Sequence, residues 1–413
     1  MRRVFLTLVF CFSFVLGHSY SILIPMDGSQ KNHLKAYGIA FFALQEGISV
    51  DWLLNYRGGS FLIPYSVLVE SECLVRGISV ELLNDVATNS VLQEIASPAV
   101  NMNVVKLETA PRIAVYSIKN ELVADETDAV ITVLDYAEIP YTLLYDDEVL
   151  EEDLVKYDWL HLHHEDFTGQ YWRFRWRLSA IIESEMQEAT AARLGYATVS
   201  AMKLQVAKKI KEFCAGGGYL FAMCSAAETF DIALAAEGIE ISEATYDVDE
   251  ESNTQGKLDF NKTLAFENFT LENENRRRFS DINTGRPDFF DQTSYYFQLF
   301  DFSAKWDIVP VMLTQDHEHV IKEFTGQTTS FNKYVVKSEA LVLGENKKGN
   351  SVRYIYGELG RGHWTFYSGH DPEGSPGRRR GTTDLNLYPN SPGYRLILNN
   401  VLFPSAKRKK QKT

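Results

Sequence analysis

Phe213-Cys-Ala-Gly-Gly-Gly-Tyr-Leu-Phe-Ala-Met-Cys224-Ser-Ala-Ala-Glu228 decides the reading of this chain. Three glycines precede an apolar run of strand length from Tyr219 to Met223, and Cys224 follows at once. A strand that turns sharply into a helix strains the residue at the bend, and the residues two before and two after must be small for strand and helix to approach. Ala222 and Ala226 meet that need. A cysteine at such a bend also stands at a helix N-terminus, where backbone N–H groups and the dipole favour thiolate and can hold a developing oxyanion. Cys224 is therefore the candidate nucleophile. The same pattern also fits a cysteine packed behind a strand, a common fate of that residue.

Working outward, strand and helix patterns alternate. Ile113-Ala-Val-Tyr, a helix from about Ala129 to Ala137 and Tyr141-Thr-Leu-Leu-Tyr form a unit that builds parallel sheet. Trp159-Leu-His-Leu-His, a long helical region from about Trp172 to Cys214 and the Tyr219 strand repeat it. Downstream, strands are expected around Val309 to Leu313, Ala340 to Leu343, Val352 to Tyr356 and Trp364 to Ser368, with a last helix from Gly393 to Leu402. The alternation breaks from Ile239 to Asp288, a stretch rich in Asp, Glu, Asn and Arg that reads as an insertion or lid, taken as residues 239–305. Ahead of all this, Ser21-Ile-Leu-Ile-Pro, a helix over Leu34 to Glu46 and Val50-Asp-Trp-Leu-Leu start a small α/β domain over residues 20–108. The expected fold is α/β: a mainly parallel doubly wound sheet over residues 110–405, preceded by that smaller domain.

Composition bounds the function. The 413 residues are 45% hydrophobic and 23% charged, enough to bury a core in two domains. Arg2 and Arg3 precede an apolar run from Val4 to Leu16, the pattern of a secretory signal peptide (residues 1–19) and too short for a spanning helix, so a periplasmic or secreted protein without a stable membrane anchor is expected. Removing Cys11 leaves Cys73, Cys214 and Cys224, an odd number in an oxidising compartment, with the pairing of Cys73 and Cys214 open. A net charge of −14 argues against nucleic acid as partner. The basic tail, residues 406–413, reads as a solvated terminus.

A thiol nucleophile needs a base. Gly360-Arg-Gly-His-Trp-Thr-Phe-Tyr-Ser-Gly-His370-Asp-Pro-Glu373 delivers His370 at a strand end, with Glu373 or Asp371 to orient the imidazole. The alternative is a histidine in a polar loop with Asp-Pro-Glu as a turn. A glycine-opened strand ending in a Cys turn, followed far downstream by His-Asp-Pro-Glu, resembles class I glutamine amidotransferase-like domains, including the ThuA-like branch. That resemblance implies Cys224 as nucleophile, His370 as base and Glu373 as orienter. The departures are Ala-Met-Cys-Ser-Ala where such enzymes have Gly-x-Cys-x-Gly, and one extra residue in His-Asp-Pro-Glu.

Over nearly its whole length the chain also resembles an exported bacterial family often called asparagine synthetase B. The likeness lies in Asn55-Tyr-Arg-Gly-Gly-Ser-Phe61, Trp159-Leu-His-Leu-His-His-Glu-Asp-Phe-Thr-Gly169 and Asp384-Leu-Asn-Leu-Tyr-Pro-Asn-Ser-Pro-Gly-Tyr-Arg395. The chemistry of that name needs an N-terminal cysteine and a Ser-Gly-Gly-x-Asp-Ser loop for ATP. Here Arg2 follows Met1, and Arg57-Gly-Gly-Ser60 is no such loop.

His161-Leu-His-His-Glu-Asp166 falls where the strand before the Cys224 strand ends. On a strand, His161, His163 and Glu165 share a face and could present two imidazoles and a carboxylate to a metal or a substrate. Substrate contact is the preferred reading, through His163, His164, Glu165 and Ser225, with no cofactor required. Asp316-His-Glu-His319 reads as a helix start, and Gly344 to Ser351 as a hairpin turn rather than a phosphate loop, since Asn350 replaces the needed lysine. Tyr171-Trp-Arg-Phe-Arg-Trp176 reads as a sugar-stacking surface or as a helix at the core's rim. The expected function is an exported Cys-dependent hydrolase or amidohydrolase acting on a small molecule or glycan. The rival is a carbohydrate- or peptide-binding module on the same fold.

Overall fold

The computed structural model describes residues 20–117, 128–163, 165–174, 178–241, 256–272, 278–284, 296–316, 318–322, 328, 330–346, 351–369, 371–374 and 383–406. Residues 1–19, the tail from residue 407, and both His164 and His370 lie outside these.

The chain opens with β1 (Tyr20–Ile24), α1 (His33–Gln45), β2 (Val50–Leu54), β3 (Ser60–Pro64), α2 (Val67–Val75), β4 (Glu81–Asn84), α3 (Asp85–Ala96) and β5 (Asn103–Leu107). Among the described residues these strands form a five-stranded sheet in the order β4-β1-β3-β2-β5. Every pairing in it is antiparallel. The expected strand-helix-strand start is present, but β3 slips between β1 and β2, so the two run parallel without touching.

The second sheet begins with β6 (Ile113–Tyr116), α4 (Ala129–Ala137), β7 (Thr142–Leu144), α5 (Asp146–Leu150), β8 (Trp159–Leu162), α6 (Leu178–Arg193), α7 (Val199–Gly216), β9 (Tyr219–Met223) and α8 (Cys224–Ala235). It continues with β10 (Tyr296–Leu299), α9 (Ile308–Thr314), β11 (Val320–Lys322), β12 (Phe331–Asn332), β13 (Leu341–Asn346), β14 (Ser351–Leu359), β15 (Gly362–Tyr367) and α10 (Pro392–Leu402). The strand order is β11-β10-β13-β14-β15-β9-β8-β6-β7, with β12 on β14. From β7 to β15 neighbours are parallel. Beyond β15 they are antiparallel. The sheet is thus mixed rather than mainly parallel, because hairpins from β13 onward extend one edge.

Alternate strand residues feed two cores, as the pleat requires. Val115, Trp159 and Phe221 face α4 and α10, while Ala114, Leu160, Leu220 and Ala222 face α7 and α8. The first core runs without a break into the small sheet through α1, which packs on α4 and α10. Two of the quoted stretches meet at this seam. Arg395 donates to the Gly58 carbonyl and to Tyr37 Oη (3.1 Å), and the Asn390 side chain accepts from the His33 amide (2.9 Å).

Four local expectations change. Ile308–Thr314, expected as a strand at Val309–Leu313, is helical and packs on α10. Its Pro310 sits in the first turn, where a missing N–H breaks no helical bond. Asp316, Glu318 and His319 follow that helix and lead into β11 rather than starting a helix, and His317 lies outside the described residues. The region from Trp172 to Cys214 is two helices separated at Gly195, which has φ 82°. Tyr296–Leu299, placed within the insertion, is a strand of the main sheet. Where a hairpin is expected at Gly344 to Ser351, β13 and β14 pair antiparallel with Asn346 opposite Ser351, and residues 347–350 lie outside the described residues.

Candidate functional site

The glycines before β9 have separate tasks. Gly217, at φ 124°, ends α7 with its amide on the Cys214 carbonyl, and a Cβ on Gly218 would meet the Phe213 ring at 2.2 Å. The strand then runs five residues, and Cys224 begins α8 at φ 54°. That is left-handed backbone on a residue with a side chain, the strained bend expected of a nucleophile elbow. Ala222 and Ala226, flanking it, are both fully buried.

Backbone bonds gather the neighbouring strand ends around this bend. The Cys224 amide donates to the Gly369 carbonyl (3.1 Å), the last described residue before His370, and the Ala226 amide donates to the His163 carbonyl (3.3 Å). Thr229 Oγ1 donates to the Glu165 carbonyl (2.8 Å). Cys224, Ser225, His163 and Glu165 are therefore brought together at the C-terminal ends of β8 and β9. All four are buried, Cys224 at 0% exposure.

The histidine stretch keeps the expected shared face for His161 and His163, whose rings stack with centroids 5.9 Å apart, but not for Glu165. β8 ends at Leu162, and the Glu165 carboxylate turns back to accept from the His163 amide (2.9 Å). The imidazoles of His161 and His163 together meet Asp128, each 3.4 Å from its Oδ2. Asp128 Oδ1 meanwhile caps α4, accepting from Val130 (2.7 Å) and Ile131 (3.1 Å). Among the described residues no group of three or more His, Cys, Asp or Glu side chains is placed to hold a metal ion.

Glu373 accepts from Ser391 Oγ (2.5 Å) and lies 3.7 Å from Lys322 Nζ. Asp371 accepts from Thr383 (2.7 Å) and from Tyr394 Oη (3.2 Å). Both acids thus tie the segment after β15 to the start of α10. In the Tyr171–Trp176 stretch, Tyr171 and Arg173 are buried, and Arg173 donates to the carbonyls of Arg278 (2.7 Å) and Glu272.

Sequence reasoning missed two acids. Asp128 precedes a helix and carries a capping signal, but nothing in its neighbourhood announces two imidazoles. Glu228 stands one helical turn after Cys224, the only available hint. Its carboxylate is fully buried and accepts from Ser280 N (3.0 Å), Ser280 Oγ (2.8 Å) and Thr328 Oγ1 (2.8 Å). Burial pushes it up to about 7 against the pull of those donors. Three backbone amides, of Leu264, Ala265 and Phe266, point at Asp231, which burial lifts to about 6.

Cys73 and Cys214 are buried and form no disulfide, and burial pushes both thiols up to about 12. Among the described residues no helix is long and apolar enough to cross a membrane.

No family profile matches the chain, and no curated protein does. Among solved structures it is similar to cytoplasmic protein STM3548 from Salmonella typhimurium, at 10% identity over 72% of this chain and 100% of that one, with a TM-score of 0.37. It is similar to cytoplasmic protein STM1381 from Salmonella typhimurium LT2, at 12% identity over 71% and 99%, with a TM-score of 0.38. It is similar also to Gan42B, a GH42 beta-galactosidase, at 10% identity over 63% of this chain and 27% of that one, with a TM-score of 0.26. With TM-scores this low, none of these likenesses bears on what the chain does.

Proposed function

We propose that the chain is an exported Cys-dependent hydrolase or amidohydrolase of class I glutamine amidotransferase-like type. Its second sheet would be the doubly wound part. The parallel strands run β7-β6-β8-β9-β15, which in chain order is two-one-three-four-five, an order known from doubly wound sheets that place ligands at strand C-terminal ends. Helices α4 and α10 lie on one face of it, α7 and α8 on the other.

The observation that carries the reading is φ 54° at Cys224, between a central strand and the first turn of α8. Such strain persists where the surroundings enforce it, as they do at the bend that carries a nucleophile. In the proposed reaction the thiol sulfur attacks the carbonyl carbon of an amide or related acyl group, and its proton passes to a base, His370. The base returns the proton to the departing amine, water then attacks the thioester, and the acid leaves with the thiol restored. The substrate class is a small molecule or glycan conjugate, contacted by His163, His164, Glu165 and Ser225.

A second reading is favoured by one observation, the complete burial of Cys224. It keeps the fold as a carbohydrate- or peptide-binding module without turnover. Purified protein is to be offered a panel of amide and acyl substrates, with Cys224→Ala in parallel. Product release lost in the variant supports the hydrolase. Release by neither protein, alongside ligand binding, supports the module, and equal release by both removes Cys224 as the nucleophile.

A further inference from the structure

Hydrogen bonds close a ring at the elbow. The Cys224 amide donates to the Gly369 carbonyl (3.1 Å), and the Gly369 amide donates to the Thr328 carbonyl (2.6 Å). The Thr328 hydroxyl donates to Glu228 Oε2 (2.8 Å), and Glu228 returns along α8 to Cys224 one turn away. The other oxygen, Oε1, takes both the amide and the hydroxyl of Ser280. Cys224, Glu228, Thr328 and Ser280 all have 0% exposure. Arg173 faces Glu228 electrostatically, while Asp231, on the same helix, is committed to three amides of its own.

Holding a segment in place does not require a carboxyl out of water, since apolar packing costs less. What a carboxylate adds is charge-assisted acceptance from several donors at once, about twice the strength of a neutral bond. We propose that Glu228 is a positioning residue for Cys224: it clamps Thr328, Thr328 fixes Gly369, and Gly369 fixes the first amide of α8 and with it the direction of the thiol. The inference rests on Cys224 being a reactive group. A proton on Glu228 weakens the clamp, and burial sets that protonation near neutral pH.

The test follows modification of Cys224 by dithiodipyridine across neutral pH in the full chain, with Cys73 and Cys214 as internal references and sites assigned by peptide mass. Wild type, Glu228→Gln, Thr328→Val and Asp231→Asn are compared. An inflection near neutral pH is expected in wild type and in Asp231→Asn, and its loss is expected in Glu228→Gln and in Thr328→Val, which keeps the carboxyl but removes the link. Rates at alkaline pH should differ from wild type by at least about 10-fold, the scale of one charge-assisted bond. Profiles superimposable on wild type would overturn the proposal. So would the same change in Asp231→Asn, which would mark general loosening, or a Cys224 inert throughout. Absence of turnover on the substrate panel with the inflection intact would remove the hydrolase reading and leave Glu228 as a clamp on the thiol.

Discussion

At φ 54° Cys224 carries a backbone cost that only its surroundings sustain. A residue with a Cβ in this region costs about 1 kcal/mol more than glycine. Cys224→Gly should therefore be more stable than Cys224→Ala by about 1 kcal/mol in urea denaturation, less the flexibility glycine adds to the unfolded chain. A Cys224→Ala variant clearly more stable than Cys224→Gly would argue that the bend is unstrained in solution. Glu228 makes a second prediction at this scale. Its folded carboxyl holds a proton up to about 7, against 4.5 ordinarily, so between those values the folded state binds more protons than the unfolded chain. Stability must then fall as pH rises through that window, by about 3 kcal/mol in total, and stay lowered above it. Glu228→Gln should flatten this part of the pH profile, measured by denaturant melts. The elbow itself was legible because its demands are local: a strand, a cysteine and two alanines within eight residues. The partners of Asp128 and Glu228 were not, since Asp128 lies 33 residues before His161, and Ser280 and Thr328 lie 52 and 100 residues from Glu228.

Elements were readable wherever periodicity had one interpretation. β6, α4 and β9 fall on the expected residues because a buried strand or a capped amphipathic helix leaves a pattern in its own sequence. Ile308–Thr314 was not readable, because a short apolar run serves a buried strand or a buried helix equally, and contact with α10 decided it. The mixed character of the sheet escaped for a similar reason: an antiparallel edge depends on which hairpin meets β15, and strand composition does not encode it. Close packing at the α7–β9 turn gives a prediction for elements. A Cβ on Gly362 would stand 2.0 Å from the Cys214 carbonyl oxygen and 2.3 Å from that of Gly218, both backbone atoms with no room to yield. Gly362→Ala should destabilise the protein by at least about 2 kcal/mol, as overpacking against backbone does. A melting temperature equal to wild type would show that β15 sits further from α7 than described.

Over the whole molecule, one hydrophobic core passes from the small antiparallel sheet through α1 into the face of the large sheet covered by α4 and α10. The seam is locked by buried polar groups. Arg395 reaches Gly58, Tyr37 and Asp316, and the Tyr37 hydroxyl donates to Asn399 (2.5 Å). The left-handed loop at Asn55, Arg57, Gly58 and Gly59 presents the carbonyl that Arg395 takes, so the Asn55–Phe61 and Asp384–Arg395 stretches belong to the join between the sheets. The chain should then unfold in a single transition by calorimetry. Arg395→Leu should lower stability by about 3 kcal/mol, leaving Asp316 and Gly58 without their partner. Two separate transitions in the wild type would mean that the sheets are independent bodies.

The central claim is that the bend at Cys224 presents a reactive thiol. The direct measurement is the rate at which iodoacetamide labels Cys224 in the native protein, relative to Cys73 and Cys214, whose buried thiols lie at about 12. Labelling of Cys224 at least about 10-fold faster than either is the predicted result, since the thiolate is the reacting species. Labelling no faster than that of Cys214 would contradict the account.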